Sequence, residues 1–159
     1  MAKKKRQLTP ELAAQLEDQL ASASMPYNYD TKEYPIEVIL AKYAKEEIFV
    51  PPYQRDFIWK ASQKACFIES LFLGVPIMPI FVSVSGDNAE LEVIDGSQRI
   101  RTIVEYCNNN LKLQGLEALT MLNGTYFSDL PISRQNKFKL RDIRVHVVTD
   151  KADAATRAD

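Results

Sequence analysis

Histidine and cysteine are scarce here: the 159 residues include one histidine and two cysteines. One imidazole and two thiols cannot build a zinc site of four thiolates, of two thiolates with two imidazoles, or of three imidazoles. Nor can they supply the paired histidines of an HNH-type nuclease, so nuclease chemistry is not expected within this chain, and any metal would be held mainly by oxygen. Cys66 and Cys107 fall inside helical patterns, where a buried free thiol acts as a small apolar side chain. With no disulfide framework, a reducing cytoplasm fits best. Net charge is also lacking, at -1 from 20 basic and 21 acidic residues, which excludes histone-like coating of nucleic acid while leaving room for a local basic patch. The longest uncharged stretch, 70–86, is broken by Gly74, Pro76 and Pro79 and is too short to span a bilayer. The basic residues 3–6 are followed by an amphipathic segment with carboxylates rather than by the apolar core of a signal peptide, so they are read as a solvated tail.

With 46% hydrophobic residues and only 5 Gly, the chain can bury one core and belongs to neither a disordered nor a fibrous class. A first helix is marked by Thr9 as N-cap, Pro10 at the first helical position, and Leu12, Leu16 and Leu20 at i, i+4 spacing. Its single apolar stripe needs a surface, either on this domain or on a partner chain. A polar connector is expected over 27–32, a second helix over 35–44 and a short strand over 47–50, stopped by Pro51-Pro52, neither of which has an N–H to donate. Ser62 is read as the cap of a third helix that ends at Gly74. The strands 79–84 and 90–94 form a hairpin through Ser85-Gly86-Asp87-Asn88, and a fourth helix follows Asp95-Gly96 at once, with Ile100, Ile103, Val104 and Cys107 inward. The stretch 111–126 is irregular. A helix over 133–140 and a strand over 143–148 complete the body, with Ile143, Val145 and Val147 on one strand face and Arg144 and His146 on the other. The pattern restarts in 153–159 without a closing signal, as in a domain cut from a longer protein.

Ile94-Asp95-Gly96-Ser97-Gln98-Arg99 passes from strand to helix through one glycine. The free N–H groups of such a helix N-terminus, with roughly half a positive charge, favour a phosphate or another anion. Ser97, Gln98 and Arg99 can add side-chain hydrogen bonds. The simpler reading stays open: Asp95 or Ser97 is only the helix cap, and Arg99 pairs with a nearby carboxylate. Tyr53-Gln54-Arg55 with Trp59 is a second cluster. Aromatic stacking beside an amide and a guanidinium suits nucleobases, while Tyr53 and Trp59 could equally be core anchors. Arg134, Lys137, Lys139, Arg141 and Arg144 form the one dense basic run of the body, either a solvated face or a contact to the DNA backbone. A serine nucleophile at Ser97 is not supported, because the single histidine, His146, lies on a distant strand.

Three segments together carry a resemblance: Val50-Pro51-Pro52-Tyr53-Gln54-Arg55-Asp56-Phe57-Ile58-Trp59, then Leu71-Phe72-Leu73-Gly74-Val75-Pro76-Ile77-Met78-Pro79, then Ile94-Asp95-Gly96-Ser97-Gln98-Arg99-Ile100-Arg101-Thr102. In order and spacing they resemble the N-terminal domain of the GmrSD family of modification-dependent restriction proteins, from about Ile36 to Val148. The resemblance implies an α+β fold of the ParB/sulfiredoxin-like kind, a small mixed sheet flanked by helices, over 33–150. An N-terminal helical arm and linker (1–32) would precede it, and the start of a truncated helix (151–159) would follow. It implies binding and hydrolysis of a nucleoside triphosphate, coupled to sensing modified DNA, with a separate C-terminal nuclease or effector domain doing the cutting. Carried over by position, Asp95, Gln98 and Arg99 are the catalytic candidates, with a Mg2+ ion possible near Asp95. Gly96, Ser97, Gln54 and Arg55 hold the nucleotide, and Tyr53, Trp59, Arg141 and Arg144 face DNA. The first helix could join two copies of the chain. Ser97 stands where a Gln is usual, Arg101 where a Thr is usual and Asp56 where a Pro is common; the first two bear on hydrolysis rather than on the phosphate-binding backbone. A nucleotide or DNA sensor without turnover, and a regulatory protein-interaction domain, are the alternatives.

Overall fold

The computed structural model describes residues 7–23, 29–54, 58–86 and 88–148. The basic tail 3–6, Arg55, Asp56 and the C-terminal pattern at 153–159 therefore lie outside the described residues.

Helix α1 (Pro10–Ala23) begins as its sequence dictates: Thr9 Oγ1 accepts the Leu12 N–H at 3.3 Å and the Thr9 carbonyl accepts the Ala13 N–H at 2.8 Å. No α1 residue is buried, and Leu8, Leu12, Leu16 and Leu20 remain 37–51% exposed. The stripe is not covered by the body of the domain.

Strand β1 (Tyr29–Pro35) leads into α2 (Ile36–Ala44), the two-residue β2 (Ile48–Phe49), a 3-10 turn over Pro52–Gln54, and α3 (Ala61–Leu73). The hairpin β3 (Ile80–Ser85) and β4 (Glu90–Asp95) follows, then α4 (Ser97–Cys107), two 3-10 turns, α5 (Ile132–Lys139) and β5 (Asp142–Val148). The sheet order is β1-β5-β3-β4-β2, with β5 parallel to β3, β2 parallel to β4, and the other neighbours antiparallel. This is the expected α+β class, a small mixed sheet flanked by helices.

One face of the sheet carries the core. Ile143, Val145 and Val147 meet Ile80, Val82 and Val93, and Ile36 and Ile39 of α2, Ile68 and Leu71 of α3, and Ile100 and Ile103 of α4 close over them. Burying each such side chain contributes about 1.5–3 kcal/mol. Beside them Phe72, Tyr106, Phe127 and Phe138 form an aromatic cluster with ring centroids 4.8–6.2 Å apart. Arg144 is exposed on the opposite face, as the alternation of β5 requires, and along that face His146 is half-buried and Val148 buried.

Four local expectations are corrected. Residues 29–32, expected in a connector, begin the edge strand β1. Its polar sequence has no alternating apolar pattern, and its order comes from β5, where Glu33 faces Arg144 and Thr31 faces His146. The cap of α3 is Lys60 rather than Ser62: Gln63 Oε1 accepts the Lys60 N–H at 2.9 Å, which sets the helix start one residue before Ser62. Cys66 is exposed, not buried, because the buried stripe of α3 runs through Ala65, Phe67, Ile68 and Leu71. In α4 the buried set is Ile100, Thr102, Ile103 and Tyr106, so Val104 and Cys107 sit at its edge.

Candidate functional site

Sheet topology brings the two motif loops to one end of the molecule. Because β2 runs parallel to β4 with Phe49 opposite Glu92, Val50-Pro51-Pro52-Tyr53 leaves the sheet at the same end as Asp95-Gly96. β3 is antiparallel to β4, with Phe81 opposite Asp95, so Pro79 and Ile80 enter the sheet at that end too. The N-terminal end of β5, where Arg141 precedes Asp142, lies beside them, since Ile80 pairs with Val145.

Gly96 is the hinge of this corner. It is the N-cap of α4, with φ +107°, a conformation that L side chains avoid. A Cβ there would also lie 3.0 Å from Ile80 Cγ1 and 3.0 Å from Arg99 Nη2. Neither Asp95 nor Ser97 is the cap, and no side chain caps the N-terminus of α4. The Gly96 carbonyl accepts the Ile100 N–H at 3.1 Å, so the first turn is regular and its N–H groups are presented at the helix end.

Arg99 does not reach outward. Its side chain is 15% exposed, Nη2 donates to the Pro79 carbonyl at 2.9 Å and lies 3.8 Å from Asp95 Oδ2, and Nε is buried with no hydrogen-bond partner. The pairing of Arg99 with a carboxylate, left open by the sequence, is thus present. Asp95 remains 65% exposed at the rim.

Gln98 joins the two motifs. Its Oε1 accepts the Trp59 N–H at 3.1 Å across 39 residues of sequence. The Trp59 ring is half-buried and meets Phe67 edge-on with centroids 5.6 Å apart, while Tyr53 stands 67% exposed. Trp59 is therefore an anchor and Tyr53 an open surface. Gln54 ends the 3-10 turn that carries Tyr53, and Arg55 falls outside the described residues.

The two basic candidates differ. Arg141 donates from Nη1 to the Leu71 carbonyl at 2.8 Å and from Nη2 to the Val75 carbonyl at 3.0 Å, capping the C-terminus of α3. Arg144 is 58% exposed and pairs across the strands with Glu33 at 3.0 Å. Arg134 and Lys137 are exposed, and Lys139 Nζ sits 5.7 Å from the centre of the Phe127 ring.

Sequence reasoning missed an open cleft of about 850 Å³ beside β2, lined in part by Tyr34, Lys42, Phe49, Pro52, Ala89 and Leu91. No local pattern marks it, because its walls come from α2, both edges of the sheet and the hairpin turn. Arg101 lines a smaller adjoining cavity of about 250 Å³ with Tyr43, Ile48 and Val50. Among the described residues no group of three or more His, Cys, Asp or Glu side chains is placed to hold a metal ion, and no helix is long and apolar enough to cross a membrane. Burial pushes the Cys107 thiol up to about 12 and raises the Tyr106 hydroxyl as well.

The family model for the GmrSD restriction endonuclease N-terminal domain matches residues 36–156, most of the chain, with both motif loops inside the match. No curated protein and no solved structure matches it. The matched segment runs from the first residue of α2 through β5 and includes the joined loops at Trp59 and Gln98, and the chain belongs to the family of GmrSD restriction endonuclease N-terminal domains.

Proposed function

We propose that this domain binds a nucleoside triphosphate at the N-terminus of α4 and hydrolyses it as part of DNA-directed restriction. The observation that carries this reading is a helix N-terminus capped by no side chain, placed at the same end of the sheet as the exposed Tyr53 and joined to that loop through Gln98 and Trp59. Backbone N–H groups at Ser97 and Arg99 suit phosphate oxygens, and Tyr53 suits the flat face of a base. Gln54 and Arg55, next in sequence, complete the nucleotide set in this reading. The residues fit Mg2+ only through Asp95 together with the nucleotide's own phosphates, the usual arrangement for that ion. Bound there, Mg2+ would neutralise phosphate charge.

Membership of the family makes this chain part of a restriction protein. In the proposal a C-terminal nuclease domain does the cutting, and Arg144 with the exposed Arg134 and Lys137 supplies contacts to the DNA backbone. Self-association through the exposed leucines of α1 completes the picture; removing residues 1–24 and measuring mass in solution tests it, with a loss of oligomer expected and an unchanged mass counting against it.

A second reading, binding without turnover, is favoured by Arg99. Its side chain is only 15% exposed and its Nη2 donates to the Pro79 carbonyl beside Asp95, so in this arrangement the guanidinium is turned inward rather than towards charge developing on a transferred phosphoryl group. Calorimetric titration with GTP and ATP, beside hydrolysis assays with and without DNA, separates the two. Turnover that Arg99→Ala abolishes in the folded protein supports the enzyme. Binding without turnover supports the sensor, and absence of binding overturns both.

A further inference from the structure

We infer that β1 is an interface between two copies of this chain, paired antiparallel along its outer edge in one register, with Thr31 opposite Thr31 of the second copy. This adds a second surface to the self-association proposed above for α1, and the two are separable by experiment.

β1 is the outermost strand of the sheet, and Asp30, Thr31, Lys32 and Glu33 are all exposed. The phase of its hydrogen bonds is fixed at one end: the Ile36 N–H donates to the Arg141 carbonyl at 2.9 Å, in line with the register that sets Pro35 opposite Asp142. Antiparallel partners alternate, so Tyr34, Lys32 and Asp30 exchange backbone bonds with β5, whereas Glu33, Thr31 and Tyr29 turn their N–H and C=O groups outward. Side-chain contacts agree, because cross-strand side chains approach most closely where the backbone groups turn outward: Glu33 meets Arg144 at 3.0 Å and Thr31 meets His146 at 3.0 Å. Such an edge is a template for another strand.

Charge selects which strand adds. A two-fold pairing centred on Thr31 sets Glu33 opposite Tyr29 of the second copy and uses only outward groups, for about six backbone hydrogen bonds. Asp30 then lies opposite Lys32 of the second copy, and Lys32 opposite Asp30, all on one face of the sheet. Within one copy these two side chains already meet at 3.1 Å, and they remain 54% and 48% exposed. Pairing closes the four charges into an alternating ring. Moving the centre by one residue sets Asp30 against Asp30 or Lys32 against Lys32, and a centre at Glu33 again opposes like charges. A lysine in an edge strand ordinarily guards against association; Asp30, two residues away, turns that guard into a match for a second copy of β1.

Mass in solution, followed against concentration by analytical ultracentrifugation of the full chain, tests the pairing. The unaltered chain should approach the mass of two copies. Asp30→Lys and Lys32→Asp each oppose like charges and should weaken association by about tenfold, while their exposed positions leave the fold intact. A one-to-one mixture of these two variants should recover it, as should one chain carrying both substitutions. Single variants that associate like the unaltered chain, or a mixture that does not recover, overturn the pairing. In a Cys66→Ala background Thr31→Cys should cross-link two copies and Glu33→Cys should not, because residue 31 alone meets itself; equal cross-linking overturns the register. Removing residues 1–24 separates the α1 reading. A truncated chain that keeps its mass while the single variants lose theirs overturns the leucine contact alone. A truncated chain that dissociates while the single variants stay associated overturns the strand pairing alone, and a one-copy mass of the unaltered chain at every concentration overturns both.

Discussion

The Arg99 guanidinium donates from Nη2 to the Pro79 carbonyl at 2.9 Å, tying the first turn of α4 to the residue that precedes β3. Arg99→Ala removes this brace and the neighbouring ion pair with Asp95. We expect a loss of about 1–3 kcal/mol, read as a lowered denaturant midpoint with unchanged slope. Arg99→Lys keeps the charge but not the planar fork, and should recover only part of that loss.

Gly96 sits between Ile80 and Arg99 with φ +107°. Gly96→Ala combines a disfavoured backbone conformation with two contacts at 3.0 Å, so a destabilisation of about 2–4 kcal/mol is expected. Thermal unfolding measures it. A fall of under about 0.5 kcal/mol would show that the turn relaxes freely.

Arg141 and Arg144 should separate in a paired experiment. Arg141→Ala strips two hydrogen bonds from the C-terminus of α3 and should cost about 2–3 kcal/mol of stability. Arg144→Ala loses only an exposed cross-strand pair and should leave stability within about 0.5 kcal/mol. If the exposed basic face meets DNA, Arg144→Ala weakens binding and flattens its salt dependence without unfolding the domain.

The two thiols should react at very different rates. Cys66 is exposed, whereas burial holds the Cys107 thiol up to about 12, leaving only about one part in ten thousand as thiolate at pH 8. A disulfide reagent at pH 8 should therefore label Cys66 first, with Cys107 following only as the domain opens. The raised value also sets the sign of the pH dependence. The stability associated with the neutral Cys107 thiol is fully present below the ordinary thiol range and is lost as pH rises towards 12. Stability measured between pH 7 and pH 11 should fall less steeply in Cys107→Ala than in the unaltered chain.

Much of this architecture is local chemistry and was legible from residues. Thr9-Pro10 starts α1, Gly74 ends α3 with φ +76°, and Asp95-Gly96 turns β4 directly into α4, because caps and left-handed turns depend on a few adjacent residues. Joining the two motif segments was legible as well, but only through resemblance. β1 was hidden because an edge strand of Asp30, Thr31, Lys32 and Glu33 has no apolar alternation and is held by β5, more than a hundred residues away.

The amino-acid sequence by itself determined the helix ends, the hairpin, the family motifs and the absence of a histidine- or cysteine-based zinc site, since each depends on residue type and short spacing. Tertiary structure alone decided where the charged groups went. Arg99 turns to Pro79, Arg141 turns to Leu71 and Val75, and Gln98 reaches Trp59. A guanidinium or an amide donates or accepts according to which backbone groups the fold leaves within about 3 Å, and that follows from sheet order and helix packing rather than from neighbours in the chain.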